Sequence, residues 1–398
     1  MTASPRDIRR REIGGEDPID RRLGAPPPTV FGWLMSLLRT RSALGFAPSL
    51  TPAVIFVPLG ALLGPSALGV ISPRLLQRLD LAVTIALAVL GVLVGSALGR
   101  ELRGSLRLLI AASLESALTV IAVALASAYF IRATGLPIET SLVAMALALG
   151  LCASASSATS ADPDSEPVAS VATRVADLDD VVPIVVAMGA FALFASPAGQ
   201  SAWWLALAPV VVGLAVGVIG WLVFERAESG PERVVFVLGA LSLAGGAASY
   251  LGVSPLAVGL VAGVVWTLAP GRADRLVQDD LERVQHPVVV LLLVTAGALI
   301  VPSTRAVWLL TPYLLFRVSG KVTGAWLSAR LVDARAGDLA AYLMSPGVLA
   351  IAFALNFRQM LSGATGDTLL ATVALGTAAF ELFALAVVPH WRGRSVRA

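Results

Sequence analysis

Asp177, Asp179 and Asp180 lie close together inside a run that otherwise reads as membrane. That run, Val175-Ala-Asp-Leu-Asp-Asp-Val-Val-Pro-Ile-Val-Val-Ala-Met-Gly189, continues apolar to about Ala195. An ionised carboxylate at the bilayer centre costs on the order of 3 kcal/mol on insertion scales. Such charges persist there only by binding something, and what carboxylate oxygens bind is a cation or a proton. The other charged residues at membrane depth are Glu115, Arg174, Arg317, Lys321 and Glu381, and Lys321 is the only lysine in the chain.

Spacing divides the cluster. On one continuous helix Asp179 and Asp180 would point about 100° apart, so they would not share a proton as a close dyad does. Asp177 and Asp180, three apart, would share a face. Arg174 precedes Asp177 by about one turn and is expected to hold it, which leaves Asp179 and Asp180 to function. Pro183 lacks the N–H that would bond the carbonyl of Asp179, so that carbonyl is expected to be open to an ion. Intramembrane ion pairs also serve simply to hold helices together, and for Glu115, Arg317 and Glu381 this reading weighs as much as a functional one. Cys152, His286 and His390 are read as incidental.

The elements that position these residues follow from composition. Of 398 residues 57% are hydrophobic and 14% charged, against roughly 25% charged in soluble domains. Mean hydropathy is +0.83. A soluble core of this size is excluded, a single cysteine rules out a disulfide framework, and no cofactor is implied. The net charge of +3 gives no case for a nucleic-acid partner.

Residues 1–42 read as a polar, arginine-rich cytosolic tail ending in a candidate interfacial helix at 29–38, with Arg39 and Arg41 behind it. Arg9-Arg10-Arg11 lacks the apolar stretch that a twin-arginine signal requires. Residues 43–391 read as the membrane domain and 392–398 as a second cytosolic tail. The expected fold class is all-α: a polytopic membrane protein of about twelve spans with inverted repeats and two broken, crossed helices. Apolar segments fall at about 45–70, 79–99, 105–131, 139–158, 166–195, 203–224, 232–250, 254–269, 285–303, 305–331, 339–360 and 368–390. Arginines concentrate in alternate loops, at 100–107, 226–233, 272–283 and 330–335, which places both termini in the cytoplasm by the positive-inside rule.

Two of these segments are interrupted. The fourth ends in Ala153-Ser-Ala-Ser-Ser-Ala-Thr-Ser-Ala-Asp-Pro163, where Ser156 and Thr159 are candidate oxygen donors. The eleventh carries Ser345-Pro-Gly347, with Asn356 further on. One proline kink is ordinary in a membrane helix. Paired interruptions beside buried acids point instead to a transporter with its site at the breaks. The fifth and tenth segments run in opposite directions with Asp179 and Lys321 each near the middle, so the two could meet.

Several motifs carry a resemblance over roughly residues 45–390: Gly60-Ala-Leu-Leu-Gly-Pro-Ser66, Leu178-Asp-Asp-Val-Val-Pro-Ile-Val185, Ser254-Pro-Leu-Ala-Val-Gly-Leu-Val-Ala-Gly263, Arg317-Val-Ser-Gly-Lys-Val-Thr-Gly324 and Phe380-Glu-Leu382. Together they resemble the cation/proton antiporter superfamily, the sodium/hydrogen exchanger transmembrane domain, in its electrogenic paired-aspartate branch. The resemblance implies a dimerisation domain, hence a homodimer, and a mobile core (segments about 105–195 and 305–390) in which segments four and eleven cross. It implies that Asp180 alternately binds a cation and a proton, and that Asp179 pairs with Lys321. Two departures stand out: Ala-Ser-Ala-Ser-Ser-Ala-Thr-Ser replaces the family's Ser-Ser-Thr stretch, and no regulatory nucleotide-binding domain is expected after the last segment.

The expected activity is electrogenic exchange of a monovalent cation (Na+ or K+) for more than one proton across a bacterial-type inner membrane, with no enzymatic step. Asp180 and Asp179 would bind the transported cation, Lys321 would help carry the second proton, and Ser156, Thr159, Asp177, Arg174, Arg317, Asn356 and Glu381 would support the site. Desolvation disfavours a charged carboxylate and a nearby ammonium favours it, an opposition that suits a proton-coupled carrier. The nearest rival is a sodium-coupled symporter of a small organic anion on the same fold, which has little use for three clustered aspartates. An intramembrane aspartyl protease needs aspartates on separate helices, and Gly366-Asp367 lies at a segment edge. A passive channel is poorly served by buried acid–base pairs.

Overall fold

The computed structural model describes residues 52–104, 106–138, 141–157, 167–194, 201–227, 230–270, 273–361 and 363–395, and regular structure among them is helical. The tail at 1–42 with its interfacial helix lies outside the described residues, and so does Thr159. We number the helices α1 (Pro52–Leu63), α2 (Pro73–Arg103), α3 (Leu106–Thr134), α4 (Leu142–Ser154), α5 (Pro167–Leu178), α6 (Val181–Phe194) and α7 (Ala202–Phe224). The remainder are α8 (Gly230–Leu251), α9 (Pro255–Leu268), α10 (Ala273–Ala298), α11 (Thr304–Ala329), α12 (Ala336–Leu343), α13 (Val348–Met360) and α14 (Ala364–Ser395).

Each of the twelve apolar segments contains helix, but the segments are not equivalent. Among the described residues α2, α3, α7, α8 and α14 are long and apolar enough to cross a membrane, and α12 with α13 reaches that length only as a pair bent by 50°. The chain is a polytopic helical membrane protein. Helices α1, α4 and α9 have 12, 13 and 14 residues. At 1.5 Å per residue α4 rises only about 20 Å, short of a hydrocarbon core of about 30 Å. A helix that stops inside the protein leaves its last carbonyls without partners, and the site is built on this fact.

The fifth segment departs from expectation. It is not one helix: α5 closes with Asp179 N–H bonding Val175 O at 2.9 Å, and α6 opens with Ile184 N–H bonding Asp180 O at 3.2 Å. Between them the two aspartates form a turn. The physical cause is local, since Asp competes with the helix for backbone partners and Pro183 has no N–H to offer the carbonyl of Asp179.

Helices α1, α2 and α7–α10 pack chiefly on one another, as do α3–α5 and α11–α14, while α6 packs against both sets. Within the first set, α2 and α9 approach through glycines. A Cβ on Gly91 or Gly95 would meet the carbonyls of Leu256 and Leu260, and a Cβ on Gly259 or Gly263 those of Ala88 and Val92. Within the second set, α11 and α3 approach the same way. A Cβ on Gly320 would lie 2.7 Å from Thr119 Cα, and one on Gly324 3.0 Å from Glu115 Cα. Small residues one turn apart let membrane helices close to backbone distance, and here that places Lys321, beside Gly320, against α3.

Candidate functional site

The two interrupted segments meet. After α4 the backbone of Ala155–Ser157 is non-helical, and Ser157 N–H donates to Ser345 O at 2.9 Å across the α12–α13 break. Gly347, which caps the start of α13, is needed there, because a Cβ would come within 2.7 Å of Ser156 O.

The orphaned carbonyls at the end of α4 are taken by cations from α11. Arg317 donates from Nη1 to Ala153 O and from Nη2 to Ala155 O, the latter at 2.9 Å, and Lys321 Nζ donates to Ser154 O. Positive charge at a helix C-terminus complements the helix dipole. Arg317 and Lys321 are both 0% exposed.

Lys321 also joins the aspartates. Its Nζ lies 3.1 Å from Asp179 Oδ2 and donates to Ser156 Oγ, and Ser156 in turn donates to Asp179 Oδ2 at 2.5 Å. Asp179 and Asp180 are fully buried, and Oδ1 of each has no hydrogen-bond partner. Buried polar atoms without partners are rare in folded proteins. A pair of them on adjacent carboxylates, at a helix break, is an oxygen site suited to a cation or a proton.

A further acid belongs to the same cluster. Glu115 on α3 lies with Oε1 3.0 Å from Lys321 Nζ, and Thr119 Oγ1 donates to it at 3.3 Å. The spacing of Gly320 and Gly324 was the signal available in the sequence, since it sets the approach of α11 to Glu115. Ser154 was equally hidden, because it contributes its carbonyl rather than its hydroxyl.

Other expected residues are placed differently. Arg174 does not hold Asp177: it pairs with Glu101 at the end of α2, donating from Nε to Oε1 at 2.8 Å and from Nη2 to Oε2 at 2.7 Å. Asp177 is exposed. A one-turn spacing allowed the pairing, but two oxygens of a neighbouring helix match the planar guanidinium better. Asn356 donates from Nδ2 to Ser254 Oγ at 3.1 Å, and Ser254 caps the start of α9. Glu381 is buried on α14, beside the Phe380 ring over which Arg317 stands at 5.3 Å.

A cavity of about 350 Å³ lies where the two helix sets adjoin, lined by Asp80 and Thr84 of α2, Pro209 of α7, Ser254 and Gln359 among others. Gln359 Nε2 donates to Asp80 Oδ1 at 3.0 Å and to Thr84 Oγ1 at 3.1 Å, tying α13 to α2 at its rim.

A solved structure, the sodium proton antiporter MjNhaP1 from Methanocaldococcus jannaschii at pH 8, matches with a TM-score of 0.61 over 86% of this chain and 91% of that one, at 15% identity. This chain has the fold of a sodium/proton antiporter. No family model and no curated protein matches it. At this identity the likeness speaks for the fold, and the chemistry is argued from the site.

Proposed function

We propose that this protein exchanges a monovalent cation, Na+ or K+, for protons by alternating access, with Asp180 binding each in turn. The observation that carries this reading is the pair of unpartnered carboxylate oxygens, on Asp179 and Asp180, buried at a helix break inside an antiporter fold. Cation and proton compete for the same oxygens, so exchange follows without both being bound together. Asp179 turns from Lys321 toward the cation when it arrives, and Ser156 bridges the two in its absence. The α5–α6 turn gives both aspartates backbone freedom that a helix interior would deny them.

Stoichiometry depends on Lys321. Where its proton leaves as Asp179 turns away, more than one proton moves per cation and exchange is electrogenic, as the paired-aspartate resemblance implies. The remaining assignments follow the same reading: a homodimer in a bacterial-type inner membrane, both termini cytoplasmic, with the cavity beside Asp80 and Gln359 on the opposite side.

Replacing Asp180 with Asn keeps the size of the side chain and removes its charge. Everted vesicles carrying Asp180→Asn are expected to show no cation-driven proton flux with a pH-sensitive dye. Flux at the wild-type rate would sink the assignment.

A further inference from the structure

Helix α2 is tied to the second helix set near both of its ends. Near its start, Gln359 Nε2 of α13 donates to Asp80 Oδ1 at 3.0 Å and to Thr84 Oγ1 at 3.1 Å. Near its end, Arg174 of α5 donates to both oxygens of Glu101, at 2.8 and 2.7 Å. The stretch of helix between Asp80 and Glu101 rises about 30 Å, about the thickness of a hydrocarbon core. The two ties therefore lie at opposite faces of the membrane.

Both ties hold elements that flank the aspartates. Helix α5 runs from Arg174 into the Asp179–Asp180 turn, and α13 begins at the break where the two interrupted segments meet. Asn356, about one turn before Gln359, adds a deeper rung by donating to Ser254 at the start of α9. Polar contacts inside one helix set only hold a scaffold together. Contacts between two sets must break whenever one set moves past the other, as alternating access requires.

We infer that these ties are the two opposed gates of the carrier: Arg174–Glu101 at the cytoplasmic face, and Gln359 with Asp80 and Thr84, backed by Asn356–Ser254, at the external face. The inference rests on the exchange and the orientation proposed above. The gates open in alternation about α2, which is their common post. Their chemistry differs with their surroundings. The cytoplasmic gate is an ion pair whose arginine side chain is 47% exposed. The external gate joins an amide to a carboxylate and a hydroxyl at the rim of the 350 Å³ cavity. Met188 of α6, about two turns past Asp180, lines the same cavity. The segment that carries the site thus forms part of its wall, and the external path opens there once Gln359 lets go.

The test is the apparent sodium affinity at each face, measured with a pH dye in right-side-out and in everted vesicles. Apparent affinity at one face scales with the share of molecules open to it, so the ratio of inside KM to outside KM reads the balance of the gates. Glu101→Gln loosens the cytoplasmic gate and is expected to lower this ratio up to about fivefold, the limit for an exposed ion pair. Gln359→Leu loosens the external gate and is expected to raise the ratio by a similar factor. The double variant Glu101→Gln/Gln359→Leu is expected to return it toward wild type. Where one of these does not fold, Arg174→Gln or Asp80→Ala breaks the same gate from its other side. Arg233→Gln is the control, since it breaks a 2.8 Å pair with Asp280 that joins α8 to α10 inside one set, and it should leave the ratio unchanged. The inference is overturned if the two gates shift the ratio in the same direction, if neither shifts it, or if the control shifts it equally. A mirrored result keeps both gates and overturns only the orientation. Absence of sodium-linked proton flux in wild type removes the exchange reading itself.

Discussion

In the α2·α9 pair, glycines on both helices bring backbone onto backbone, and the atoms they meet belong to Leu256, Leu260, Ala88 and Val92. In the α3·α11 pair, Gly320 and Gly324 do the same against Thr119 and Glu115, and the gap they leave seats an ammonium on a carboxylate. The packing device is shared and its consequence is not. Close approach in lipid is rewarded by van der Waals contact, which is all that the first pair needs. In the second it also sets the distance between charges, where an error of a few tenths of an ångström alters a hydrogen bond. A scaffold tolerates repacking that a charge cluster does not.

The comparison breaks most sharply at Lys321. Lys321→Met leaves Glu115 and Asp179 buried without their cation, and breaking a buried pair from one side typically costs about 3–5 kcal/mol. Loss of exchange together with a large drop in detergent melting temperature is expected. A variant that melts like wild type would show that the pair contributes nothing to the fold.

A smaller effect sharpens the contrast. Gly259→Ala places a methyl 2.1 Å from Ala88 O, and Gly320→Ala places one 2.7 Å from Thr119 Cα. Overpacking of this kind costs about 1–3 kcal/mol, so both variants should melt lower. Exchange per folded molecule should fall only in Gly320→Ala, where the methyl pushes Lys321 from Glu115. Equal losses of turnover in the two would dissolve the distinction between scaffold and site.

The smallest effect is expected at Arg174, whose side chain is 47% exposed in its pair with Glu101. Exposed ion pairs contribute about 0–1 kcal/mol and are screened by salt. Arg174→Gln should lower melting slightly in dilute buffer and not at high salt. A salt-independent loss would mark this pair as part of the charge cluster instead.

Much of this architecture is legible in residue types. The twelve apolar segments each hold helix, the interruption at Ser345–Gly347 is a real bend, and Asp179 lies against Lys321 as similar depth suggested. Where the reading failed, it failed on partners and on continuity. Arg174 went to Glu101 rather than to Asp177 one turn away, and the fifth segment breaks at the aspartates instead of running through them. Pro183 pointed to an open carbonyl at Asp179 and did not show that the helix itself would part there.

Sequence alone determined that this chain lives in a membrane and that its buried charges need a reason. Both follow from the transfer cost of each residue type, which needs no knowledge of neighbours. Only the tertiary structure decided which charges answer each other. Glu115 and Lys321 are 206 residues apart in the chain, and nothing local couples them. Their contact exists because two glycines let α11 close on α3, and because α4 stops short and leaves its carbonyls to be satisfied by the same two cations.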